Sequence, residues 1–220
     1  MQKSLFFSFL TILFLTGCDY SNQTQLETVY QDGRGKPHLT LMQVVDSSQN
    51  SLPWDLSQEM TSLVENQIKA LGAIYLEDQE KISTDLEFSQ LAKKIIRNPQ
   101  NIDSIDAKTE FLSIVEIIDH RQDAVHEKKN LAHPEATAML LTIKARIKVY
   151  DLRKVIPSLV LSEIVTHEAM IPWQMTKVNY KKNHYLTKQY LVTPIGLAHK
   201  QLANKAAKRI HDYVLLAKSH

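Results

Sequence analysis

Hydrophobic positions along this 220-residue chain recur with two different periods. Leu56, Met60, Leu63, Val64, Ile68 and Leu71 fall at helical spacing, which predicts an amphipathic helix. Asp55 stands where an N-cap is needed, with Gln58 three residues on as its return partner, and Gly72 suits the stop. A second helix opens at Ser83, Thr84 or Asp85 and runs through Leu86, Leu91, Ile95 and Ile96, ending before Asn98-Pro99. Thr193-Pro194 gives an N-cap followed by proline at the first helical position. From there Ile195, Ala198, Leu202, Ala206, Ile210, Val214 and Ala217 make a long apolar stripe.

Period two is clearest where Leu141, Ile143, Ala145, Ile147 and Val149 alternate with Thr142, Lys144, Arg146, Lys148 and Tyr150. That strand has one face for a core and one basic face. After a turn over 151–157, residues 159–166 return as its antiparallel partner, and the alternation slips at Glu163-Ile164, which predicts a bulge. Residues 39–45, 73–76 and 111–118 supply three more strands. The last is apolar at nearly every position and so is expected to be buried on both faces. The order predicts an α/β (α+β) fold, a two-layer sandwich of a mixed, largely antiparallel sheet covered by helices.

Ahead of this domain the pattern changes. Lys3 precedes an apolar run from Leu5 to Leu15, interrupted only by Ser8 and Thr11, which is shorter than the ~20 residues a membrane span needs. It ends in Leu15-Thr16-Gly17-Cys18, and on those residues the leader resembles that of a bacterial lipoprotein precursor. The resemblance implies a signal peptide over 1–17 and a lipid on Cys18, with the domain held at the cell envelope on the periplasmic side. Asp19 followed by Tyr20 leaves inner and outer membrane both open. Residues 18–37 are polar and aperiodic and read as a flexible tether, so 38–220 is expected to form one globular domain.

Composition narrows the chemistry. Cys18 is the only cysteine, so once lipidated it leaves a domain without thiols, excluding disulfides, thiolate catalysis and Cys-ligated metals. Hydrophobic content of 44% and charged content of 23% are ordinary for a globular protein. Only five glycines are present, which argues against phosphate-cradling loops. His120, His126 and His133, with Asp119, Asp123 and Glu127, crowd an expected loop, but their spacing fits no established metal-ligand pattern. His167-Glu168 lacks the second histidine of a zinc-protease helix. Glu116 and Glu163 are a carboxylate pair that neighbouring strands could bring together. No nucleophile elbow is present, so neither an enzyme nor a cofactor is expected.

The segment between Pro172 and Tyr190 carries Lys177, Lys181, Lys182 and Lys188 with no acidic residue, interleaved with Trp173, Tyr180, Tyr185 and Tyr190. Cations beside flat amphipathic rings suit a protein or glycolipid partner of the envelope, and an exported protein has no nucleic acid to meet. The plainer alternative is that the tyrosines finish the core and the lysines are its solvated rim. The last helix, with Lys144, Arg146 and Lys148, is expected to extend the basic face.

The mature domain also resembles periplasmic lipoproteins of the curli-secretion-channel and penicillin-binding-protein-activator type. The resemblance rests on Trp54-Asp55-Leu56, Leu71-Gly72-Ala73-Ile74-Tyr75, Arg146-Ile147-Lys148-Val149-Tyr150 and Gly196-Leu197-Ala198. It implies a non-catalytic scaffold or regulator, and no amphipathic strand pair is left over to build a pore. A binding or adaptor module in envelope assembly is the first expectation. A lipid- or lipopolysaccharide-handling lipoprotein and a hydrolase or metal enzyme using the histidines are the alternatives.

Overall fold

The sheet is organised around one long central strand, and the helices are placed by what each face of that strand offers. The computed structural model describes residues 28–77, 85–104, 109–126, 136–185 and 187–220. In chain order the elements are β1 (His38–Leu41), β2 (Val45–Asp46), α1 (Leu56–Leu71), β3 (Tyr75–Leu76), α2 (Asp85–Arg97), β4 (Phe111–His126), β5 (Ala136–Asp151), β6 (Ser158–Pro172) and α3 (Pro194–Lys218). The sheet order is β3-β1-β4-β5-β6, with β2 also on β4. Contacts made by β1, β2 and β3 are parallel, and β4, β5 and β6 form an antiparallel meander. The fold is therefore α+β with a mixed sheet, as its pattern predicts.

One face of the sheet carries Phe111, Val115, Ile117, Leu141, Ile143, Ala145, Ile147 and Val149, all buried. Against it pack the stripes of α1 (Leu56, Met60, Val64, Ile68) and α3 (Leu202, Ala206, Ile210, Val214). Burying each such aliphatic side chain contributes about 1.5–3 kcal/mol, and the small alanines of α3 let the helix approach the sheet closely. The opposite face is covered at one end only. There Leu112, Ile114 and Tyr150 meet Met42, Val45, Ala92, Ile95 and Ile102, so α2 adds a partial third layer. The start of β4 is thus buried on both faces.

Cap chemistry fits locally. The Asp55 side chain accepts from Ser57 N and Gln58 N, and Gly72 ends α1 with φ 71°, a left-handed conformation that glycine adopts without a Cβ penalty. Gln58 does not close a capping box, because its Oε1 accepts a hydrogen bond from Tyr185 at 3.0 Å instead. Thr193 caps α3 by accepting from Gly196 N at 3.1 Å.

Two irregularities differ from expectation and matter below. The expected bulge at Glu163-Ile164 lies elsewhere: Val149 pairs with Leu161 and Tyr150 with Leu159, leaving Val160 as the extra residue. The slip at 163–164 has another cause, because Glu163 faces α3 and binds Arg209 while Ile164 points outward. In β4 the register shifts between Ile117 and Asp119, so Ile118 is the extra residue. Without that bulge Asp119 would follow Ile117 onto the helix-covered face. With it, Asp119 turns out to Lys144 at 3.5 Å and His120 turns in.

Residues 28–37 are packed on the domain rather than forming tether. Val29 bridges Gly35, Tyr30 donates to Ala73 O at 2.7 Å, and Lys36 is buried. Residues 1–27, with Cys18 and the leader, lie outside the described residues. Among the described residues no helix is long and apolar enough to cross a membrane.

Candidate partner-binding face

A buried polar network holds the basic segment to the body. The chain leaves β6 at Pro172, turns through short 3-10 helices at Trp173–Thr176 and Tyr190–Val192, and enters α3. Between them the Asn179 side chain accepts from Lys181 N and Lys182 N at 3.1 and 3.3 Å, fixing a tight turn. This strap lies over the start of α1, and Trp54 is what it grips. The indole sits 5.4 Å from the Tyr190 ring edge-on, 5.6 Å from Tyr180 and 6.5 Å from Tyr185.

Beneath the rings lies Glu59, 1% exposed, whose carboxylate takes three donors. Trp54 Nε1 donates to Oε2 at 2.7 Å, and Tyr190 Oη donates to Oε1 at 2.5 Å. His199 Nδ1 lies 2.7 Å from Oε1, so the carboxylate's demand for a donor places a proton on Nδ1. On its far side His199 Nε2 is 2.9 Å from His120 Nε2, and one hydrogen lies between the two rings. Burial, and next the neighbouring His199, push the His120 pKa down to about 4, so this ring is neutral at pH 7. Burial and the Glu59 charge raise the Tyr190 pKa, keeping its proton on the bond.

The network ties together four elements distant in sequence: α1 through Glu59, β4 through His120, α3 through His199 and the strap through Tyr190. Chemically it is spent on structure. A carboxylate–imidazole pair activates a nucleophile through the second ring nitrogen, and here that nitrogen faces another imidazole. Only the edge of His120 reaches solvent, at a polar cleft of about 700 Å³ formed with Ser47–Ser51 and Arg121.

The expected contact residues separate cleanly. Lys177, Lys181, Lys182 and Lys188 are all exposed, and Trp173 is 43% exposed with Met175 beside it at 50%. Tyr180 and Tyr185 are half-buried against Trp54. Tyr190, expected on the contact face, is instead fully buried, with its hydroxyl committed to Glu59. The rings thus fasten the strap while the lysines and Trp173 look outward.

Other expectations change. Asp119, His120, Asp123 and His126 lie on β4, not in a loop, and only His120 points into the core. Glu127 and His133 are outside the described residues. Among the described residues no group of three or more His, Cys, Asp or Glu is placed to hold a metal ion. His167 lies on β6, with its pKa lowered by burial and then by Lys205. Glu116 and Glu163 do not meet, since they occupy opposite faces and pair separately with Arg146 and Arg209. Lys144, Arg146 and Lys148 face away from α3, so they do not extend the strap's basic surface. Lys144 and Arg146 are also neutralised by Asp119 and Glu116.

The sequence pattern left Glu59 and His199 unnoticed as partners. The signal is present, since Glu59 stands within the buried stripe of α1 and His199 within that of α3. A polar residue at a stripe position marks a buried bond, but not which bond.

Comparison with known proteins agrees with this fold. The chain belongs to the family of unknown function DUF7499, which matches residues 25–218. No curated protein matches it. Among solved structures it is similar to the hypothetical protein CT253 from Chlamydia trachomatis, at 19% identity and a TM-score of 0.64, covering 82% of this chain and 98% of that one. It is also similar to lipoprotein GNA1162 from Neisseria meningitidis (9% identity, TM-score 0.37, covering 76% and 99%). A minor lipoprotein from Acinetobacter baumannii also matches (10% identity, TM-score 0.40, covering 80% and 90%). CT253 shares the fold, and several of the other similar structures are bacterial lipoproteins.

Proposed function

We propose that this chain is a lipid-anchored, non-enzymatic lipoprotein of the bacterial envelope that uses the 173–190 strap to bind an acidic face on a protein partner. Cys18 carries the anchor, at the end of a leader of lipoprotein type. The observation that carries the binding role is the two-sided strap. Its inner rings are locked by Trp54 and Glu59, while its outer side presents four lysines, Trp173 and Met175. None of those lysines has an ion pair among the described residues, so their charge is free to act on a partner. A strap pinned by its inner rings loses less conformational entropy on binding than a free loop, and the exposed Trp and Met supply the apolar anchor that a charged patch alone lacks. Like-signed lysines also steer an acidic partner into place.

Replacing Lys177, Lys181, Lys182 and Lys188 together by Glu is expected to abolish recovery of the envelope partner on native pull-down, with the circular dichroism spectrum unchanged. Undiminished recovery from a folded variant would sink the proposed face.

A further inference from the structure

The end of the molecule opposite the strap has its own composition. The register places Leu39 beside Phe111, Phe111 beside Asp151, and Asp151 beside Ser158. The start of β1, the β5–β6 hairpin turn and the chain's entry through residues 28–37 therefore share one end. The last turn of α3 joins them, with Arg153 Nη2 donating to Ala217 O at 2.6 Å and Lys218 paired with Glu110. At this end the hairpin turn projects Val155, 102% exposed, and Ile156, 78% exposed. Leu159 and Leu216, both about half exposed, lie behind them, and Lys154 flanks the tip. Between the tip and α3 runs a crevice of about 460 Å³ lined by Lys154, Ser158, Tyr213, Leu216 and His220.

Two adjacent β-branched aliphatics in water at a turn contribute little to the fold, because Val155 buries no surface there and Ile156 only a small part of its own. Turns ordinarily carry Gly, Asn, Asp or Ser. What could cover them follows from where the chain goes. Thr28 lies only ten positions after Cys18, and fully extended that stretch spans at most about 35 Å. We propose that the Val155-Ile156 tip is a membrane-contacting wedge. It dips its aliphatic side chains into the lipid surface that holds Cys18, while Lys154 lies at headgroup level. Burying the pair would add a second attachment to the lipid and fix the domain's orientation. The strap, which starts where Pro172 pairs with Ala138 at the other end of the sheet, then points away from that membrane. This inference rests on the proposed lipidation of Cys18.

The test uses the full lipoprotein purified from membranes. With Cys18 lipidated no other thiol exists, so an Ile156→Cys variant carries a unique label site, and Lys181→Cys is the control at the far end. Each is labelled with an environment-sensitive nitrobenzoxadiazole dye and reconstituted in phosphatidylethanolamine–phosphatidylglycerol vesicles containing a shallow spin-labelled lipid. Several-fold stronger quenching at 156 than at 181 is expected. Equal, water-like emission at both sites in protein that floats with the vesicles would overturn the wedge and leave the anchor standing. Protein that does not float with the vesicles would overturn the anchor, and the wedge with it.

Discussion

Glu59 is the residue on which the strap's position depends. A buried carboxylate persists only when its oxygens are satisfied, and here Trp54, Tyr190 and His199 all supply hydrogens. Glu59→Gln keeps the shape but turns one acceptor into a donor facing donors, and is expected to cost about 2–3 kcal/mol in urea denaturation. His120 gives the network a pH dependence. Its folded pKa, near 4, is below the roughly 6.5 of an unfolded histidine. The unfolded chain therefore binds the proton first as pH falls. The stability is complete above about pH 6.5 and is lost progressively down to about pH 4, amounting to roughly 3 kcal/mol. His120→Gln should flatten that part of the stability–pH curve, and an unchanged slope would show that the ring titrates normally.

At the scale of elements, the approach of the strap to α3 is the tightest constraint. A Cβ built on Gly196 would sit 2.1 Å from the Tyr190 carbonyl oxygen, a backbone atom that cannot move without dragging the strap. Gly196→Ala is expected to lower stability by about 1–3 kcal/mol and to speed amide exchange across 180–192, while exchange in α1 stays slow. Uniform exchange across the protein would contradict this. These same elements show how much the sequence disclosed. The helices, the Asp55 and Thr193 caps and the 141–150 strand are legible because burial of one face imposes a clean period. Residues 119–126 are not, since Asp119-His120-Arg121-Gln122-Asp123 offers no apolar face and forms strand only through its ladder with β5. The inward position of His120 is hidden for a related reason. One extra residue at Ile118 exchanges the two faces, and periodicity carries no mark of it. Composition alone marks the strap as a basic, aromatic segment. Its division into an inner aromatic side and an outer basic side depends on Trp54, more than a hundred residues earlier, and no local pattern could join them.

For the whole molecule, the two proposed roles fall at opposite ends of the fold. The chain's entry, the β5–β6 tip and the last turn of α3 share one end, and the strap lies toward the other. With the proposed anchor at Cys18, a domain arranged this way would stand on that anchor and offer its basic face to partners away from it. Its formal net charge is only +2, so the proposed attraction would come from local grouping and should weaken as salt rises past about 0.1 M. The most direct test places a photocrosslinking amino acid at position 181, and in a parallel strain at position 154, in the lipoprotein in its own cells. The account predicts a discrete protein adduct from 181 and none from 154, with the adduct lost when Lys177, Lys182 and Lys188 are changed to Glu. The absence of an adduct at 181, or an adduct indifferent to those three charges, would contradict it.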